Sequence, residues 1–124
     1  MVDGDKTEII RKSWEMLAAG ELDNLATNYT HDMIFVLPGH DDVLKGRDAF
    51  RSALDNIGQA LPPGFDIKSL SYCAGDNEVV NIIHFTAEKL PNVTQCAVLF
   101  RFNNDNKIIE ERWFVDTEKW KAAF

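Results

Sequence analysis

Apolar positions recur at helical spacing in the first half of the chain and alternate in the second. Ile10, Trp14, Leu17 and Ala18 mark one face of a first helix. Asp5 and Glu8 ahead of it have the spacing of a capping box, and Gly20 is a natural stop. A second, short helix carries Leu22, Leu25, Ala26 and Tyr29 on one face. The β-favouring run Met33 to Leu37, closed by Pro38-Gly39, predicts a strand and a turn, and the polar stretch His40 to Lys45 a loop. After Gly46 a third helix points Phe50, Leu54, Ile57 and Leu61 inward and ends at Pro62-Pro63-Gly64. Phe65 to Cys73, Val79 to Ala87, Val93 to Phe102 and Lys107 to Val115 are each of strand length. Turn-forming clusters separate them, which predicts an antiparallel meander. Thr117 to Phe124 closes the chain as a last helical turn or two, with Asp116 or Thr117 as its N-cap.

The turns also predict faces, because strand side chains alternate. A two-residue turn at Asn104-Asp105 puts Cys96, Val98 and Phe100 on one face with Ile109, Glu111, Trp113 and Val115. A similar turn at Leu90-Pro91 adds Asn81, Ile83, Phe85 and Ala87. This set is the more apolar and is expected to meet the helices. The opposite face has an apolar centre of Ile82, Ala97, Leu99 and Phe114, with His84, Arg101, Glu110 and Arg112 around it. That arrangement is typical of a subunit interface, so a homodimer through this face is expected.

At 124 residues the chain has room for one domain, spanning 1–124. A net charge of −7 disfavours broad contact with nucleic acid or an anionic membrane. Cys73 and Cys96 form no CxxC pair, and the acidic N-terminus lacks the apolar stretch of a signal peptide, so a reducing, cytoplasmic location is expected.

Several short motifs, weak singly, occur in a telling order. They are Leu17-Ala18-Ala19-Gly20-Glu21-Leu22-Asp23 between two helices and Tyr29 to Asp32 before the first strand. Pro38-Gly39, Gly46-Arg47-Asp48-Ala49-Phe50 and Phe100-Arg101-Phe102-Asn103 complete the set. In these the chain resembles the nuclear transport factor 2-like superfamily, in its SnoaL-like and ketosteroid-isomerase-like branches. The resemblance implies an α+β roll of cystatin-like type. A cone-shaped, curved antiparallel sheet would wrap around three N-terminal helices, with an apolar pocket at its open end and an outer face often used for dimerisation. It also removes an activity. Its alignment places Leu37 where ketosteroid isomerases carry a general base, Ser13 at their tyrosine and Val98 at their protonated acid. Leucine and valine move no protons and serine is too short, so a steroid isomerase of that type is not expected.

Glu111 is the leading candidate for chemistry. Inward between Ile109 and Trp113, its carboxyl would have a raised pKa and suit a general acid or base; a one-residue slip would instead put Glu110 inside. Asn81 is either a polar anchor for a ligand or for Glu111, or a core amide satisfied by backbone. Trp14, Phe35, Phe85 and Trp113, with Leu37, Ile83 and Val98, line a ligand pocket or are plain core. Asp116 resembles the acid preceding the last helix in SnoaL-like chains and equally suits an N-cap. His40, Asp41 and Asp42 splay apart in a loop, so no metal or other cofactor is expected. The leading expectation is a homodimeric pocket protein for an apolar or aromatic metabolite, acting as a cofactor-free isomerase, cyclase, hydratase or lyase through Glu111. The alternative is a non-catalytic ligand-binding or dimerisation module of the same fold.

Overall fold

The fold is described from a computed structural model covering residues 2–36, 43–60, 64, 66–90, 93–116 and 118, with backbone alone for 2–5 and 57–60. Helix α1 (Val2–Ala19) and short helix α2 (Leu22–Ala26) precede strands β1 (Tyr29–Val36) and β2 (Val43–Lys45). Helix α3 (Arg47–Ala60) follows, then β3 (Asp66–Ala74), β4 (Glu78–Thr86), β5 (Thr94–Phe102) and β6 (Ile108–Phe114). The six strands form one curved, unclosed sheet in the order β2-β1-β6-β5-β4-β3. The predicted meander is β3 to β6, each strand antiparallel to the next, and β1 joins β6 in parallel.

Several boundaries differ from the sequence reading. Helix α1 begins before Asp5, so the capping spacing does not mark its start, and Glu8 instead bonds the Arg11 guanidinium one turn on. Its buried stripe runs through Lys6, Ile10 and Ser13, with Trp14 half-buried; Leu17 and Ala18 face outward. Tyr29 opens β1 rather than ending a helix, and the residues Val43 to Lys45 pair with β1 instead of looping. Two glycines allow these junctions. Gly20 leaves α1 at φ +76°, its amide donating to Leu17 O. Gly46 passes from β2 into α3 at φ +98°, donating to Met33 O at 2.8 Å, a backbone shape that L side chains resist. Leu37 to Asp42, Leu61 to Pro63, the Ile57 side chain, Pro91-Asn92 and the predicted terminal helix lie outside the described residues.

The meander turns are longer than two residues. A two-residue turn would set Phe100 opposite Ile109, but Phe100 pairs with Glu111. The loop Asn103 to Lys107 accounts for this: Asn103 Oδ1 accepts from the amides of Asp105 and Lys107, and Asn106 sits at φ 59°. Likewise Ile83 pairs with Cys96 and Asn81 with Val98. Both shifts are by two residues, so the predicted faces survive: Asn81, Ile83, Phe85, Ala87, Cys96, Val98, Phe100 and Glu111 are all buried. Ile109 is the exception. A register break between Arg101 and Phe102 puts Ile108 inside, fully buried, and leaves Ile109 exposed.

The core lies between this inner face and helices α1 and α3. Phe50 and Leu54 of α3 pack against it, with Phe50 meeting Tyr29 at 4.6 Å and Phe35 at 5.0 Å between ring centroids. No helix among the described residues is long and apolar enough to cross a membrane.

Candidate functional site

Cross-strand rows place the site. One inner row runs Val79–Phe100–Glu111–Phe35 across β4, β5, β6 and β1. The next runs Asn81–Val98–Trp113. Glu111 therefore stands between two phenylalanines in the sheet, beneath Tyr29 at the start of β1, and is only 6 % exposed. Burial of a carboxylate is costly unless its oxygens find donors. Here both do. Tyr29 donates its hydroxyl to Oε1 in a short hydrogen bond, and Trp113 Nε1 donates to Oε2 at 2.7 Å. Burial pushes the Glu111 carboxyl above the ordinary value of 4.5, while the two donors pull it back down. The Tyr29 phenol is driven well above 10 by its own burial and by the neighbouring carboxylate.

A cavity of about 30 Å³ opens against this pair. Leu25, Phe50, Leu54 and Phe100 make it apolar, and Ser13, Trp14, Tyr29 and Glu111 bring polar groups to its edge. Roughly one or two water molecules fill such a volume. No lysine or arginine is among these lining residues. The residues described here hold no cluster of three or more histidine, cysteine or acidic groups able to bind a metal.

The other predicted residues fall as follows. Asn81 is fully buried and lies in the row beside that of Glu111, two strands away; its Oδ1 accepts from Trp14 Nε1 at 2.7 Å, and Nδ2 donates to Ser71 O at 3.0 Å. Trp14 lines the cavity. Phe35, Ile83, Phe85 and Val98 belong to the packed core and do not line it. Trp113 reaches the site through its indole N–H. Asp116 is exposed, and its Oδ1 accepts from the Glu118 amide at 3.0 Å, the geometry of a cap. Leu37 lies outside the described residues. Ser13, aligned with the isomerase tyrosine, donates to Ile9 O at 2.8 Å and accepts from Asn28 at 2.9 Å; Val98 is fully buried.

Tyr29, Phe50 and Leu54 also line the cavity; the sequence pattern places the last two inward on α3, but assigns Tyr29 to a helix where it opens β1. Tyr29 was legible as buried but not as the partner of Glu111. Nothing local links two residues 82 positions apart on strands paired in parallel.

Comparison with known proteins agrees with the fold. The chain shares its fold with Bal32a, from a soil-derived mobile gene cassette, at a TM-score of 0.82 and 21% identity over 98% of this chain and 97% of that one. It is also similar to SalBIII, an epoxide hydrolase/cyclase-like enzyme of pyran ring formation in the polyether salinomycin (TM-score 0.78, 20% identity, 94% and 95% covered). A steroid delta-isomerase from Pseudomonas aeruginosa is similar at a TM-score of 0.76 and 16% identity, over 95% and 85% of the two chains. No curated protein is similar enough to match. The profile of the SnoaL-like domain matches residues 10–111, from the first buried residue of the α1 stripe after Lys6 to the carboxylate itself, and the chain belongs to the SnoaL-like family within the nuclear transport factor 2-like fold.

Proposed function

We propose that this protein is a cofactor-free acid–base enzyme acting on an uncharged apolar or aromatic molecule, with Glu111 taking a proton from the substrate and returning it. The observation that carries this reading is a buried carboxylate at the edge of an apolar, water-sized cavity that no cation lines. Desolvation raises its pKa toward the working pH, which is what a general base needs. Tyr29 and Trp113 fix its orientation, so the carboxylate is aimed before a ligand arrives. The cavity has room for a reacting hydroxyl, C–H or water. Isomerisation, cyclisation, hydration and elimination all share this one proton movement. SalBIII, an epoxide hydrolase/cyclase-like enzyme, and the Pseudomonas steroid delta-isomerase are both of such kinds, which supports the class without selecting a member. The ketosteroid type stays outside the reading, since Ser13 is committed to Ile9 and Asn28 and Val98 carries no proton.

The test is a pH–rate profile on a panel of neutral epoxides, enones and hydroxy ketones. Turnover is expected to rise with pH through one inflection displaced above 4.5, the ordinary value for the group. A flat profile, or an inflection that persists in Glu111→Gln, overturns the assignment.

A second reading is a non-catalytic member of the family. It draws on the fact that both oxygens of Glu111 already have donors beside a cavity of only about 30 Å³. In either case we propose a homodimer through the outer sheet face, where Phe114 is 54% exposed. A reducing, cytoplasmic setting is supported by Cys73 and Cys96, both free.

A further inference from the structure

We infer that Asn81 is a positioning residue for Glu111, acting across two strands through the indoles of Trp14 and Trp113. The row Asn81–Val98–Trp113 keeps the amide and the second indole on β4 and β6, with β5 between them. Strands two apart are separated by roughly 9–10 Å, too far for the amide to reach Trp113 or Glu111 directly. Trp14 of α1 closes that gap. Its N–H donates to Asn81 Oδ1 at 2.7 Å, and its ring meets Trp113 at 6.0 Å with the planes at 86°. Edge-to-face contact at this distance is a favoured aromatic geometry and sets the tilt of one ring by that of the other. Trp113 then donates its own N–H to Glu111 Oε2 at 2.7 Å.

The orientation of the Asn81 amide is itself determined by the backbone. The ladder between β3 and β4 shifts between Ser69 and Ser71. At that break Ser71 O accepts from Asn81 Nδ2 at 3.0 Å, which turns Oδ1 toward the donor-only indole of Trp14 and the Ser69 hydroxyl at 3.3 Å. A fully buried amide is expensive without partners, and a hydrocarbon would fill the same space more cheaply. Its bonds end at an indole that touches Trp113, a partner of Glu111. Removing them frees Trp14 to rotate, loosens Trp113 and weakens the Nε1–H bond that favours the ionised carboxylate.

The inference rests on Glu111 as the working group of the site, but its test reads the carboxyl directly and needs no substrate. Glu111 is titrated by carbon-detected NMR in the parent and in Trp14→Phe, Asn81→Ala and Trp113→Phe. Trp14→Phe keeps an aromatic side chain on α1 while removing the N–H together with the five-membered ring, so it serves even where Asn81→Ala fails to fold. Each substitution is expected to move the Glu111 midpoint upward, Trp113→Phe the most. In the Trp113→Phe background, adding Trp14→Phe is expected to move it no further, because the route is already cut. A Glu111 midpoint unmoved by Trp14→Phe overturns the inference, as does a Trp14→Phe shift that adds in full to that of Trp113→Phe. Either result leaves the acid–base reading to its pH–rate profile.

Discussion

Glu111→Gln is expected to lower turnover by about 10²–10⁴-fold, the usual worth of a positioned acid or base, while making the protein more stable at neutral pH. The two effects have one cause. Glutamine is nearly the same shape as glutamate. Its Oε1 can accept the Trp113 N–H, and its Nε2–H can donate to the Tyr29 oxygen once the phenol turns, so both neighbours keep a partner. What is lost is the ability to carry a negative charge in a buried place. Glu111 titrates above 4.5 in the folded chain because burial outweighs its two donors. A carboxyl whose folded pKa is raised binds its proton more tightly folded than unfolded. Its contribution to stability is therefore complete below the unfolded value of about 4.5 and is lost as pH rises through the folded pKa. Above its folded pKa the parent holds a desolvated anion, and the glutamine variant never does. Calorimetric melting at pH 7 should give the variant the higher Tm, with the gap closing as pH falls toward 4. A Tm at pH 7 equal to or below that of the parent would mean that the two hydrogen bonds outweigh desolvation, and the carboxyl would then titrate low rather than high.

The inward set of the sheet was legible because parity is robust where register is not. Two-residue turns misplace both pairings by two residues, yet an even slip leaves every side chain on its own face, so Asn81, Ile83, Phe85, Val98 and Glu111 stay inside. Ile109 shows the limit. One break in register near Phe102 is an odd slip, and it exchanged Ile109 for Ile108. The partners of Glu111 were less legible. Tyr29 follows Leu25 and Ala26 at helical spacing, and that local periodicity hid its place at the start of a strand. Parallel pairing of β1 with β6 joins segments with no turn between them, so no turn residues announce it. Asn81 is legible as inward and polar. Its partner Trp14 is 67 positions away on a helix, and only the packing of α1 over the sheet brings the two together.

Leu99→Asp is expected to convert the protein from dimer to monomer. On the outer face the row Ile82–Ala97–Phe114 lies beside Val80–Leu99–Arg112, and Glu78–Arg101–Glu110 follows. Leu99 thus stands between an apolar row and a charged one. Arg101 pairs with Glu78 at 3.3 Å and with Glu110 at 3.5 Å, and Arg112 with Glu110 at 3.1 Å. These ion pairs are formed within one chain, so they border the apolar centre without needing a partner and set orientation more than affinity. Phe114 remains 54% exposed in the isolated chain, and the occupant proposed for this face is a second copy, which offers the same apolar row. A two-fold axis through this face would set each copy's row against the other's, so a single substitution enters the interface twice. Among the described residues the cations that border it, Arg112 directly opposite and Arg101, are already engaged by Glu110 and Glu78, so an aspartate there must compete for them. At about 1.4 kcal/mol per copy, a modest figure for a buried unpaired charge, association weakens about 100-fold. The fold should persist, since Leu99 points away from the core that holds Glu111, and the Glu111 titration is expected to be unchanged in the monomer. Light scattering on both proteins at micromolar concentration measures the outcome. A parent that is already monomeric, or a Leu99→Asp variant that remains dimeric, would remove the outer face as the interface.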